Sequence, residues 1–132
     1  MTHGELFAGI AGFGVGFGQA GIETMWHIEI DPSCQRLLSQ RFPGTLLLGD
    51  VREVGAHNLP YVDVISFGSP CQDLSVAGKR SGLAGARSGL FYEAIRILGE
   101  IRPAWAVWEN VPGALSSNGG RDFGAALDAL AE

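Results

Sequence analysis

Val62-Asp63-Val64-Ile65-Ser66-Phe67-Gly68-Ser69-Pro70-Cys71-Gln72 is the stretch that decides how this chain is read. Its first six residues form a short, apolar, β-branched run, the composition of a buried strand bounded by turn residues. Glycine and proline then stop the strand and deliver Cys71 into a loop. In open α/β sheets ligands bind in the crevice beyond the carboxyl ends of the strands, so a thiol at that point is a nucleophile candidate. Pro70 fixes its own φ and pushes Ser69 towards extended geometry, which limits the directions Cys71 can face. The competing reading, a small buried apolar residue, has the usual burial of free cysteines behind it. The chain on either side tips the balance towards chemistry.

Upstream, Glu5-Leu6-Phe7-Ala8 reads as a first strand that turns tightly through Gly9-Ile10-Ala11-Gly12-Phe13-Gly14 into a first helix. That is a cofactor-loop arrangement, although Ala11 breaks the dinucleotide fingerprint. A literal G-x-G-x-x-G runs from Gly16 to Gly21. It does not follow a strand, and Gly21 is better read as the C-cap of the helix. A second strand, about Thr24 to Ile28, ends in Glu29-Ile30-Asp31-Pro32. Asp31 as N-cap and Pro32 as first helical residue predict a helix to about Arg41. Glu29 follows Gly9 by the offset at which an acid meets ribose hydroxyls in nucleotide-binding βαβ units. An acid kept only for solubility is the alternative there. A third strand, near Thr45 to Leu48, delivers Asp50 to the same side.

Downstream, Lys79, Arg80 and Arg87 follow Cys71, with Asp73 the only acid between Gly68 and Arg87. The plain reading is a solvated loop; the functional one is a phosphate-contacting loop beside the nucleophile. A helix is expected from about Ser88 to Ile101, with Phe91, Ala94, Ile95, Leu98 and Ile101 as its apolar face. Pro103 ends it, and a fifth strand, Ala104 to Trp108, runs into Glu109-Asn110-Val111. Arg121 to Ala131 reads as a last helix with Phe123, Leu127 and Leu130 on one face. Strands alternating with helices predict a doubly wound, mostly parallel α/β sheet.

Composition sets the outer bounds. With 132 residues and 46% hydrophobic content the chain makes one globular domain. Its two cysteines are too few for a disulfide framework, and three scattered histidines show no zinc-site spacing, so no metal is assigned. No run reads as a signal peptide or a membrane span, and the expectation is a cytoplasmic, reducing compartment. A net charge of −5 argues against a large nucleic-acid surface, leaving the positive charge local to the Cys71 loop.

Taken in order, these blocks resemble the N-terminal part of the DNA cytosine-5 methyltransferases. Leu6-Phe7-Ala8-Gly9 with Gly12 matches the cofactor loop, and Glu29, Asp31 and Asp50 match the cofactor acids. Gly68-Ser69-Pro70-Cys71-Gln72 matches the nucleophile block and Glu109-Asn110-Val111 the second catalytic block. The resemblance implies a Rossmann-like methyltransferase fold that uses S-adenosylmethionine. Cys71, set by Pro70, would add to carbon 6 of a flipped-out cytosine, and Glu109, with Asn110 beside it, would bind the ring nitrogen and exocyclic amine. Phe7 would pack on the adenine, Glu29 hold the ribose, Asp50 accept from the adenine amine, and Leu90 line the same pocket. The loop from Gln72 to Arg87, with Ser75, Lys79 and Arg80, would close over double-stranded DNA.

The chain departs from the family pattern at Glu5, where Asp is usual, at Ala11, and at Ile30, where an aromatic often covers the cofactor. After Val111 it has no counterpart of the family's later blocks or target-recognition domain. The expectation is therefore the N-terminal portion of a catalytic domain, present as a fragment or as half of a split enzyme with a second polypeptide as partner. A non-catalytic cofactor- or DNA-binding remnant is the alternative. A nicotinamide dehydrogenase is more distant, since its chemistry needs neither Pro70-Cys71-Gln72 nor Glu109-Asn110-Val111.

Overall fold

Five parallel strands in the order β3-β2-β1-β4-β5 form one sheet. They are β1 (Thr2–Leu6), β2 (Glu23–Ile28), β3 (Leu46–Leu48), β4 (Val64–Phe67) and β5 (Trp105–Trp108). Between them run α1 (Gly12–Gln19), α2 (Pro32–Arg41) and α3 (Gly89–Ile101), and α4 (Gly113–Ser116) and α5 (Arg121–Ala131) follow β5. The computed structural model describes residues 1–68 and 89–131. Pro70, Cys71, Gln72, Ser75, Lys79, Arg80 and Arg87 lie outside the described residues.

The strand period of two divides the sheet into unlike faces. Leu6, Trp26, Ile28, Ile65 and Phe67 cluster with Phe91, Ala94, Ile97 and Ile101 of α3 and Ala126 of α5. At about 1.5–3 kcal/mol for each fully buried large side chain, this face is the main source of stability. The opposite face holds the buried polar residues His3, Glu5, His27 and Ser66. Over them lies α1, whose glycines bring its backbone close. A Cβ at Gly14 would stand 3.0 Å from Glu5 Oε2 and 3.0 Å from His27 Cε1.

Glu5 explains how so glycine-rich a helix starts. Ala11, the N-cap residue, offers no side-chain cap. Instead the buried Glu5 carboxylate accepts from Phe13 N–H (3.3 Å) and Gly14 N–H (3.0 Å), satisfying donors in the first turn. His27 Nδ1 lies 3.3 Å from Glu5 Oε2. His3 bonds Thr24 Oγ1 (3.0 Å) and Ser66 Oγ (2.7 Å), and burial, helped by nearby His27, pushes its pKa down to about 4. At the other end of α1, Gly21 (φ 77) is one residue past the cap Ala20, and Ile22 N–H closes onto Phe17 C=O at 2.9 Å. This is a Schellman stop, so the literal G-x-G-x-x-G is the end of a helix and not a phosphate loop.

Several expectations shift. The first strand is Thr2–Leu6 and not Glu5 to Ala8, because Phe7 takes a positive φ of 54 and ends it. Strands β3, β4 and β5 are one or two residues shorter at their starts than the apolar runs suggest. On α3 the buried set is Phe91, Ala94, Ile97 and Ile101; Ile95 and Leu98 only pack against its margin. On α5 small Ala126 makes the buried contact and Leu127 is exposed. Among the described residues β5 is an edge strand, and its Trp105 is 65% exposed. No helix among the described residues is long and apolar enough to cross a membrane.

Candidate functional site

All five strands point their carboxyl ends to one side, and a cavity of about 400 Å³ opens there. Phe7, Ile28, Glu29 and Ile30 line it from the ends of β1 and β2. Gly49, Asp50, Val51 and Arg52 line it from the segment after β3, Gly68 from the end of β4, and Leu90 from α3. The volume lies in the range of small-molecule sites, and apolar walls with a few convergent acids are the usual make-up of one.

The first wall is built by the β1–α1 loop. Phe7 (φ 54), Gly9 (φ 55) and Ala11 (φ 61) all adopt left-handed backbone, a conformation that costs the two non-glycine residues energy and that concentrates at functional loops. Glu29 holds this turn. Its Oε2 accepts from Gly9 N–H at 2.6 Å across 20 residues of sequence, and its Oε1 accepts from Asp31 N–H at 2.8 Å. Each carboxylate oxygen keeps acceptor capacity for a further donor. The backbone of Glu29 is itself fixed, N–H to Leu48 C=O at 3.0 Å and C=O to Gln35 Nε2 at 2.7 Å.

The acid opposite, Asp50, is gripped by Arg52 through Nε (2.9 Å to Oδ1) and Nη2 (2.6 Å to Oδ2). The Arg52 guanidinium, with the Arg52 backbone N–H, lowers the Asp50 pKa to about 2. Arg52 was not legible as a site residue; its only sequence signal is the two-residue spacing from Asp50. Asp31 serves α2 instead of the cavity lining. Its carboxylate caps Ser33 and Cys34 N–H at 2.8 and 2.9 Å, bonds that hold its pKa down. Gly12 opens α1 and likewise does not line the cavity.

The second half of the site sits at the ends of β4 and β5. Phe67 pairs with Trp108, and Glu109 N–H bonds Phe67 C=O at 2.9 Å. The Glu109 carboxylate lies over Gly68, where a Cβ would stand 2.6 Å from its Oε2. A side chain at position 68 would meet the tip of Glu109 in this arrangement. Asn110 turns its Oδ1 onto Val111 N–H at 2.8 Å, and its buried Nδ2 has no partner among the described residues. The structure thus gathers Phe7, Glu29, Asp50 and Leu90 around one cavity and sets Glu109 beside Gly68, three positions before Cys71 in sequence.

The comparisons with known proteins agree with this architecture. The family model described as C-5 cytosine-specific DNA methylase matches residues 1–132. The chain belongs to that family. It is 37% identical over 132 residues to the Type II methyltransferase M2.BsuMI of Bacillus subtilis (strain 168), covering 97% of this chain and 33% of the relative. It is 36% identical over 117 residues to the Type II methyltransferase M.DsaV of Dactylococcopsis salina, covering 89% and 33%. The chain therefore spans about a third of the length of these relatives. Among solved structures, a prophage-encoded protein of E. coli titled as a DNA modification methyltransferase superposes with a TM-score of 0.81 at 24% identity, covering 99% of this chain and 38% of that one. That likeness gives the fold: a Rossmann-like methyltransferase sheet, present in part.

Proposed function

We propose that this chain carries the cofactor pocket and the catalytic groups of a DNA cytosine-5 methyltransferase. The observation that supports the reading most is the position of Glu109 over Gly68, at the paired ends of β4 and β5 and on the same edge as the Glu29–Asp50 cavity. A methyl donor and a pyrimidine held at these two places would face each other across the strand ends.

S-adenosylmethionine supplies an electrophilic methyl group when bound, and the residues present fit it. Phe7, Ile28 and Leu90 offer apolar surface to an adenine, and Glu29 and Asp50 offer acceptors to ribose hydroxyls and an exocyclic amine. Glu29 is pre-aimed because two backbone N–H groups already orient it.

On the substrate side, Cys71 as thiolate adds to carbon 6 of the cytosine, which turns carbon 5 into a nucleophile. Glu109 binds the ring nitrogen and the exocyclic amine and stabilises the charge that this addition moves onto the ring. After methyl transfer, loss of the carbon 5 proton and expulsion of the thiolate restore the ring and free Cys71. The base must leave the stacked duplex first, at a cost of a few kcal/mol. Lys79, Arg80 and Arg87 contribute phosphate contacts, few for a chain of net charge −5. DNA engagement accordingly draws on chain beyond these residues, in the same or a second polypeptide, and the exposed Trp105 edge of β5 is where it would pack.

The test uses DNA containing 5-fluorocytosine, with S-adenosylmethionine and the polypeptide that supplies the family's later blocks. A denaturation-resistant adduct is expected with the native chain and none with Cys71→Ala. An adduct that survives the substitution overturns the assignment. Methyl transfer by residues 1–132 alone is expected to be slight, and robust turnover by the isolated chain would remove the need for added sequence.

A further inference from the structure

Asp50, Val51 and Arg52 belong to a strap, residues 50–59, that crosses from β3 towards α3. The strap folds on itself through a short helical turn, Val51–Glu53, capped by Asp50. Asn58 closes it further, accepting from Gly55 N–H at 3.0 Å and donating to Glu53 C=O at 3.1 Å. Nothing in that internal bonding fixes the strap against the other cavity wall, which is Leu90 on α3. Arg96 does.

Arg96 stands six residues after Leu90 on α3, and four of its donor contacts are used. Nε meets Glu93 at 2.8 Å and Nη1 meets Glu100 at 2.8 Å, so the guanidinium is locked to its own helix. Nη2 then reaches across to two strap carbonyls, Val51 at 3.2 Å and Val54 at 2.9 Å. Glu100 returns the contact, accepting from Ala56 N–H at 3.0 Å. Gly55 permits this approach, since a Cβ there would run into the Glu100 carboxylate and stand 3.1 Å from Arg96 Nη1. Val51 and Val54 are buried, so loss of Arg96 would strand their carbonyls where water replaces it poorly. A planar fork is needed for this pattern; a lysine ammonium cannot face two carboxylates and two carbonyls from one side.

We infer that Arg96 is a positioning residue for the cofactor, acting through the strap to hold Asp50 and Arg52 at a fixed distance from the α3 wall of the cavity. The inference rests on the S-adenosylmethionine reading of that cavity. Arg96 touches no ligand itself. Its effect falls on the adenosine end, because the strap contributes Asp50, Val51 and Arg52 and the methionine end has no contact with it on this reading.

The experiment is calorimetry of the full chain with S-adenosylmethionine and with methylthioadenosine, paired with amide hydrogen exchange in the absence of either. Arg96→Met is expected to weaken both compounds by roughly tenfold or more, and Arg96→Lys by less. Exchange at Glu53, Ala56 and Leu59 should quicken in both variants while the β1 and β2 amides of Leu6 and Ile28 keep their rates. Exchange that rises equally everywhere would make Arg96 a general stability residue and overturn the inference, as would unchanged strap exchange or unchanged affinity. If the wild-type chain binds neither compound, the cofactor reading itself falls. If it binds both and Arg96→Met binds equally well, only the role of Arg96 is lost.

Discussion

The two halves of the site are built differently. Around the cavity each acid is aimed by bonds made within the chain: Glu29 by Gly9 and Asp31 N–H, Asp50 by Arg52, and the strap behind it by Arg96. Beneath the loop, Glu5 caps α1 from a buried polar layer shared with His3 and His27. At the other half, Glu109 is solvent-exposed and stands at the end of an edge strand whose outer tryptophan is bare. Among the described residues, preorganisation is present where the chain has closed over itself and is thin at the ends of β4 and β5. On the proposed reading, a pocket of the first kind binds its ligand with what it has, and a carboxylate of the second kind depends on what is packed against β5.

Four experiments press on that contrast. The largest effect is expected in the buried polar layer. The folded pKa of His3, about 4, lies below its unfolded value of 6.5, so the neutral ring's contribution is complete above pH 6.5 and is lost as pH falls towards 4. It should reach on the order of 3 kcal/mol, read as the difference between the unfolding free energies of wild type and His3→Gln across that window. A difference that does not change with pH would mean that His3 is not held neutral.

Next is Gly14→Ala. The added methyl meets Glu5 and His27 at 3.0 Å, so a loss of about 1–3 kcal/mol is expected in denaturant unfolding, where an alanine in an open helix would stabilise. A stabilised variant would show that α1 is not tightly seated.

Arg52→Ala should act locally. The Asp50 carboxyl, followed by NMR, is expected to titrate near 2 in the wild type and to return towards 3.8 in the variant. Its depressed pKa means that the ion pair's contribution is present above the ordinary value and fades as pH falls towards 2. An unmoved titration would assign the depression to other groups.

Smallest of all is Glu109→Gln, expected to leave both stability and S-adenosylmethionine affinity within about 0.5 kcal/mol, because the residue is exposed and lines no part of the cavity. A large loss of cofactor binding would join the two halves that the structure keeps apart.

Much of this could be read from the residues. Apolar runs between glycine and proline place the strands, Asp31-Pro32 announces α2, and the offset from Gly9 to Glu29 is realised as a hydrogen bond between them. The bonds that fix the strap could not be read in that way. Arg96 reaches Val54 across 42 residues, and nothing local marks a surface-patterned Glu93-x-x-Arg96-x-x-x-Glu100 face as a clamp. The polar layer was hidden for a related reason. His3, Glu5 and His27 look like solvent-facing positions until a helix of glycines comes close enough to bury them. Ala126 replaced Leu127 in the core because α5 turns Ala126 to the main cluster and Phe123 onto Trp108, a packing that sequence periodicity does not locate.

On the proposed reading the cofactor half lies within these residues and turns on Glu29. Calorimetry of S-adenosylmethionine against the isolated chain and its Glu29→Ala variant tests it most directly. Binding is expected for the wild type, weakened by roughly 1–3 kcal/mol in the variant, which loses an acceptor for the ligand together with the clamp on Gly9. Equal affinity in the two proteins, or no binding by a folded wild-type chain, would contradict it.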